Sequence, residues 1–294
     1  MSQLNIYLYG STGQLGQALC SRLRTASWRY TAVPRCSTFS GSIEQVLSHI
    51  KPSIILNAAA FTDVTRAEKE PILAMEVNRD GVARLAEIAK QHNALFVHFS
   101  TDYVFDGKMD KPWRESDQPA PLNLYGQSKL SGERAIITSG CRHLIIRTSW
   151  LHSPWRDNFL KTMLHLGKVH NELQVVCDQV GTPTSALMLA EVTLRAIQRV
   201  LAEPKLEGLY HVAASGSVNW FDYACFIFKE AQNIGLISGI PTVIPIKSDA
   251  YPSKVARPLN SQLDSRLFSH KFDMVLPDWR DGVRDTLLRL AKVV

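Results

Sequence analysis

The chain has 294 residues, 45% of them apolar, with 33 Lys and Arg against 27 Asp and Glu for a formal charge of +6. That is enough for a large core in one compound α/β unit or two closely packed lobes, and no segment approaches the ~20 apolar residues that span a bilayer. The cationic residues are dispersed, without helix-turn-helix or finger spacing, so the excess suits small anionic ligands and argues against nucleic acid.

In chain order, Leu4 to Tyr9 is a short apolar run that ends in Gly10-Ser11-Thr12-Gly13-Gln14-Leu15-Gly16, and Gln14 to Arg24 then reads as an amphipathic helix. Strands are predicted next at Tyr30 to Val33, Ser53 to Ala59, Leu95 to Phe99 and Leu144 to Arg147, alternating with helices at Ile43 to Ile50, Val77 to Gln91 and Tyr125 to Ile137. This alternation predicts an α/β fold, a Rossmann-type doubly wound parallel sheet covered on both faces. After Trp150 the pattern weakens: helices at Asn158 to Gly167, Ala186 to Leu201 and Trp220 to Gln232, a strand at Gly208 to Val212, an irregular stretch from Pro241 to Pro258, and a last helix from about Trp279. The expectation is a dinucleotide-binding unit over residues 1–150 and a smaller, mixed substrate-binding lobe over 151–294, with later segments returning to the first sheet. The N-terminus enters a strand without a basic leader or cleavage site. Five scattered cysteines (Cys20, Cys36, Cys141, Cys177 and Cys225) form no C-x-x-C pair. Reduced thiols in the cytoplasm are the expectation, with neither a disulfide framework nor a zinc site.

Gly10, Gly13 and Gly16 stand after a strand and open a helix, the context a dinucleotide turn requires. One glycine permits the tight turn, one lets backbone approach a pyrophosphate, and one lets helix pack on sheet, with the helix N-terminus facing the phosphates. The G-x-x-G-x-x-G spacing is that of short-chain dehydrogenase/reductases. Where an acidic residue would close the second strand and bind the adenosine ribose, the chain reads Ala32-Val33-Pro34-Arg35. Arg35 can pair with a 2′-phosphate, which favours NADPH, with NADH as the alternative.

Tyr125 and Lys129 lie four apart on one helix face. Alone, that spacing is common on solvated helices; beside the glycine turn it is a proton-transfer pair, because a cation favours the phenolate. Thr101, with Ser100 as the alternative, follows a strand at the carboxyl edge of the sheet, where its hydroxyl can orient a substrate carbonyl oxygen. Asp102 is either a substrate-facing group or a turn cap.

Taken together, Asn57-Ala58-Ala59-Ala60-Phe61-Thr62, Ser100 to Phe105, Tyr125-Gly126-x-x-Lys129, Arg147-Thr148-Ser149-Trp150 and Asp178-Gln179-x-Gly181-Thr182-Pro183-Thr184 resemble the dTDP-4-dehydrorhamnose reductases. Ala250-Tyr251-Pro252, Arg257-Pro258-x-Asn260-Ser261 and Leu276-Pro277-x-Trp279 carry the resemblance almost to the C-terminus. It implies NAD(P)H-dependent reduction of the C4 carbonyl of dTDP-6-deoxy-L-lyxo-4-hexulose to dTDP-L-rhamnose, the last step of that precursor pathway. It also implies that Gly13, Gln14, Leu15, Ala60, Phe61, Thr62 and Phe99 line the cofactor and that Thr101, Asp102 and Trp150 meet the nucleotide sugar. An aromatic plane at Trp150 can cover a deoxysugar ring, and the charge of Arg257 suits a diphosphate. The alternatives are another NDP-4-keto-6-deoxysugar reductase, for example a talose-forming one, or a non-catalytic regulatory subunit of the same fold. Some members hold magnesium at a dimer contact through glutamates; the matching positions here, Ala18, Leu187 and Arg289, offer no oxygen ligand. No metal and a monomer or weak homodimer are therefore expected.

Overall fold

A computed structural model describes residues 4–34, 46, 47, 49–252 and 255–292. Arg35, Cys36 and half of the helix predicted over Ile43 to Ile50 lie outside the described residues. The first half runs β1 (Ile6–Tyr9), α1 (Gln14–Thr25), β2 (Tyr30–Val33), β3 (Ile54–Asn57), α2 (Val64–Lys69) and α3 (Pro71–Met75). A π turn at Glu76–Asp80 carries α3 into α4 (Gly81–Gln91), followed by β4 (Leu95–Thr101), a 3-10 turn at Asp102–Val104, α5 (Leu124–Ser139) and β5 (His143–Thr148). The second half contains β6 (Leu151–His152), α6 (Phe159–Val169), β7 (Glu172–Val176), β8 (Val180–Gly181), β9 (Thr184–Ser185) and α7 (Ala186–Ala202). It ends with β10 (Gly208–His211), β11 (Val218–Asn219), α8 (Trp220–Asn233), β12 (Thr242–Ile246), α9 (Arg266–Phe272) and α10 (Trp279–Ala291).

Six strands form one parallel sheet in the order β10-β5-β4-β3-β1-β2. The inner strands are apolar runs because both faces of a parallel sheet are covered. Alternate residues divide between two layers, as strand geometry demands. Ile6, Leu8, Leu56 and Val97 pack with Leu15 and Leu19 of α1 and with Leu189 and Ala190 of α7. Tyr7, Ile55, Phe96 and Ile145 pack with Val82, Leu85 and Ala86 of α4. The chain leaves β1 toward β2 and returns on its other side as β3, so the sheet's switch point lies between β1 and β3, where ligands of open α/β sheets bind.

A third core gathers Leu160 and Leu164 of α6, Tyr223 and Phe228 of α8, and Trp279, Val283 and Leu287 of α10. The paired strands β7 and β12 add Leu173 and Val243 to it. Two differences from the predicted elements stand out. The helix expected from Val77 begins at Pro71 and passes through the π turn. β12 falls inside the stretch expected to be irregular. Its Pro245 has no N–H, which is tolerated because, among the described residues, β12 pairs with β7 alone. Ala18 and Leu187 are core residues, while Arg289 pairs with Asp285 at 2.8 Å.

Candidate active site

A cavity of about 840 Å³ lies at the carboxyl ends of β1, β3, β4 and β5 and reaches α8. Gly10 adopts φ +89°, and a Cβ there would come within 2.5 Å of Ala59 N. At Gly16 a Cβ would meet Gly10 O at 2.1 Å, so this glycine seats α1 against the turn. Gly13 differs. Its Cβ would make only an ordinary 3.5 Å contact with Gly10 O, so the protein's own packing does not require glycine there. Gly13 also caps α1 without any side-chain bond, and Gly13, Gln14 and Leu15 line the cavity. A bare helix N-terminus behind an open glycine fits the pyrophosphate of a nicotinamide dinucleotide.

The loop after β3 forms the opposite wall through Ala58, Ala59, Ala60 and Thr62. Asn78, from the π turn, holds that loop: its Oδ1 accepts from Phe61 N at 2.9 Å, and its Nδ2 donates to Phe61 O at 3.0 Å and to Ser128 Oγ at 2.9 Å. One amide thereby clips the loop to α5. Helix α5 starts at Asn123, whose side chain accepts from Gly126 N at 2.9 Å and donates to Ala256 O at 2.9 Å. That second bond brings the segment carrying Arg257 to the cavity.

Thr101, Tyr125 and Lys129 all line this cavity. Thr101 Oγ1 accepts from Tyr103 N at 3.2 Å and donates to Asp102 Oδ1 at 3.0 Å. Ser100, by contrast, commits its hydroxyl to Glu133. Glu133 is two turns on from Tyr125 and makes a buried pair with Arg147, which donates through Nε at 2.9 Å and Nη2 at 2.6 Å. Asp102 is only 2% exposed. Burial raises its carboxyl from 3.8 to about 6 against the pull of the Ser261 and Thr101 hydroxyls.

Lys129 is 2% exposed and donates to Phe99 O at 2.7 Å. Burial brings its ammonium down to about 8, with Glu133 opposing. The Tyr125 phenol is raised by burial, with the Thr101 hydroxyl working the other way and the Asp102 and Tyr103 charges adding to the rise. The Nζ of Lys129 is turned to Phe99 O and His98.

Trp150 has φ 44°, a left-handed conformation that is rare for a bulky residue. Its ring stacks on Trp220 at 3.4 Å between centroids, and its Nε1 donates to Ser261 Oγ at 3.1 Å. The aromatic plane expected from Trp150 alone is thus shared, because Trp220 covers one face. Gly10, Gln14, Leu15, Ala60, Thr62, Phe99, Asp102 and Arg257 also reach the cavity. Gly16 and Phe61 do not: the first packs inside the turn, and the second lies in a small core with Ala67, Ala74 and Val77. Sequence reasoning missed Trp220, Asn78 and Glu133. Only Glu133 carried a signal, continuing the Tyr125 and Lys129 spacing by one more turn.

A glycine turn at the switch point and a tyrosine, lysine and hydroxyl at the neighbouring strand ends share this one space. Fold and site together define an NAD(P)-dependent reductase of the short-chain class. The profile described as RmlD substrate binding domain matches residues 4–292, and the dTDP-4-dehydrorhamnose reductase of Escherichia coli strain K12 is 42% identical over 293 residues, 98% of each chain. The chain belongs to the dTDP-4-dehydrorhamnose reductase family. Among solved structures, a Clostridium acetobutylicum dTDP-4-dehydrorhamnose reductase superposes with TM-score 0.90 at 32% identity, covering 98% of this chain and 100% of that one. The Bacillus anthracis dTDP-4-dehydrorhamnose reductase in complex with NADP gives 0.89 at 32% identity, covering 98% and 99%. A Thermus thermophilus UDP-glucose 4-epimerase shares the fold with TM-score 0.81 at 17% identity.

Proposed function

We propose that the protein uses NADPH to reduce the C4 carbonyl of dTDP-4-dehydro-L-rhamnose, giving dTDP-L-rhamnose. The observation that carries this reading is the convergence of the glycine turn and of Thr101, Tyr125 and Lys129 on one cavity. Full-length identity to relatives named for that reaction supports it, as does the NADP complex of the Bacillus anthracis relative.

Bound NADPH would supply the hydride, held by Gly10, Gly13, Gln14, Leu15, Ala60, Thr62 and Phe99. Thr101 orients the carbonyl oxygen, Tyr125 gives it a proton as it becomes an alkoxide, and Lys129 binds the nicotinamide ribose and replenishes the proton. Asp102, Arg257 and the Trp150 and Trp220 stack receive the nucleotide sugar. In this reading residues 1–150 mainly hold the cofactor and residues 151–294 mainly the sugar nucleotide. The four described cysteines are unpaired, which suits the cytoplasm. A monomer or weak homodimer is in keeping with Ala18, Leu187 and Arg289 offering no magnesium ligand.

The test is NADPH and NADH oxidation with the freshly made 4-keto sugar, followed by NMR of the product. The rhamno configuration is expected, with NADPH preferred. A talo product or no turnover would refute the reading.

A further inference from the structure

Two polar residues interrupt otherwise apolar strands, and the chemistry above uses neither. Asn57 ends β3, and His98 is its register partner on β4; they are 2% and 0% exposed. A buried amide and imidazole are costly unless their polar atoms are paired, so the direction of each bond matters. One end is fixed. The backbone N–H of Ala59 can only donate, and it donates to Asn57 Oδ1 at 3.2 Å. The amide nitrogen of Asn57 then lies 3.1 Å from His98 Nδ1, where it donates in turn. Neutral His98 therefore carries its proton on Nε2, and Nε2 is 3.2 Å from Lys129 Nζ. An N–H is aimed at the lysine. An ammonium has no lone pair to receive it, whereas a neutral amine has one and can still donate to Phe99 O. Turning the Asn57 amide over would reverse the chain only by setting its NH2 against the Ala59 N–H.

We propose that Asn57 and His98 are positioning residues: a hydrogen-bond chain of fixed direction, from Ala59 N–H through both side chains to Nζ, favours uncharged Lys129 and couples its protonation to the cavity loop. The inference rests on the role given to Lys129 above. Protonating Lys129 from solvent moves the His98 proton from Nε2 to Nδ1 and turns the Asn57 amide, at the expense of the Ala59 bond. Burial of Lys129 acts in the same direction. The other charged and titratable groups around it are Glu133 on its own helix, Arg147 of β5 held by Glu133, Asp102 after β4, and Tyr125 one turn earlier.

The test compares the wild type with Asn57→Asp. An aspartate accepts from both Ala59 N–H and His98 Nδ1–H, so it reverses the chain and leaves Nε2 to accept from an ammonium. Nitrogen-15 NMR of the His98 imidazole on the alkaline side of the Lys129 titration, assigned by its loss in His98→Gln, should find the proton on Nε2 in the wild type and on Nδ1 in the variant. The alkaline limb of the kcat/KM profile for the 4-keto sugar should move up by about one pH unit or more in the variant. A wild-type proton on Nδ1 on the alkaline side of the Lys129 titration, an unchanged tautomer in the variant there, or an alkaline limb that stays or falls overturns the proposal. If the wild type reduces no sugar, the functional reading fails on its own, and the wild-type tautomer still decides the chain.

Discussion

Replacing Asp102 by Asn should stabilise the folded protein, and the gain should depend on pH. The Asp102 carboxyl is 2% exposed and is raised from 3.8 to about 6, chiefly by burial. Between those values the unfolded chain has lost this proton while the folded protein keeps it, so stability falls as pH rises through the window. Above it the wild type carries a penalty of about 3 kcal/mol, two pKa units and a little more at about 1.4 kcal/mol each. Asparagine has no such titration and keeps an oxygen for the Thr101 hydroxyl. Urea unfolding should therefore show the variant more stable by about 3 kcal/mol at pH 7.5, narrowing to about half that at pH 5. A gap that is constant with pH, or that widens as pH falls, would refute the burial argument. If Asp102 also meets substrate, the same variant will lose kcat/KM while gaining stability.

Tyr125→Phe should lower turnover by about 100-fold or more, by removal of the proton donor, and leave NADPH binding, followed by fluorescence, nearly unchanged; full turnover would exclude Tyr125 as the acid. Gly13→Ala and Gly16→Ala form a contrasting pair. Because a Cβ at Gly13 meets nothing closer than 3.5 Å, that variant should change stability by less than about 1 kcal/mol and weaken NADPH binding by about tenfold or more, as read by titration. At Gly16 the Cβ would lie 2.1 Å from Gly10 O, so the expected effect is a loss of about 2 kcal/mol or more in urea unfolding. Glu133→Gln strands the guanidinium of Arg147, only 4% exposed; thermal unfolding should report a loss of about 3 kcal/mol or more.

How much of this could be read from the chain depended on whether the signal was local. Central strands such as Ile54 to Asn57 announce themselves because burial on both faces demands an apolar run. The glycine turn is legible because its three glycines answer to steric limits within the turn, to the neighbouring strand end and to the ligand side. The Tyr125 and Lys129 spacing gave the correct helix face, yet it could not give the direction of Nζ, which the carbonyl of Phe99 and the ring of His98 decide. Trp220 was missed because its stacking on Trp150 joins segments remote in sequence and leaves no periodic trace. β12 falls in a stretch where proline obscures the strand pattern; its edge pairing with β7 makes Pro245 harmless. Asn57 and His98 were visible as polar residues in apolar runs, a signal that marks a buried bond without naming the partner.

The parallel sheet is completed late in the chain. β10 pairs with β5, and α7 covers the face of the sheet on which α1 lies. During synthesis, the apolar flank formed by Leu15, Ala18 and Leu19 therefore waits uncovered until the residues of α7 have left the ribosome. Long-range closure of this kind slows folding and exposes intermediates to aggregation. A truncated product that ends after β5 would carry the glycine turn and the tyrosine and lysine pair but lack the helix that covers α1. Such a fragment is a substrate for chaperones and proteases rather than a smaller enzyme.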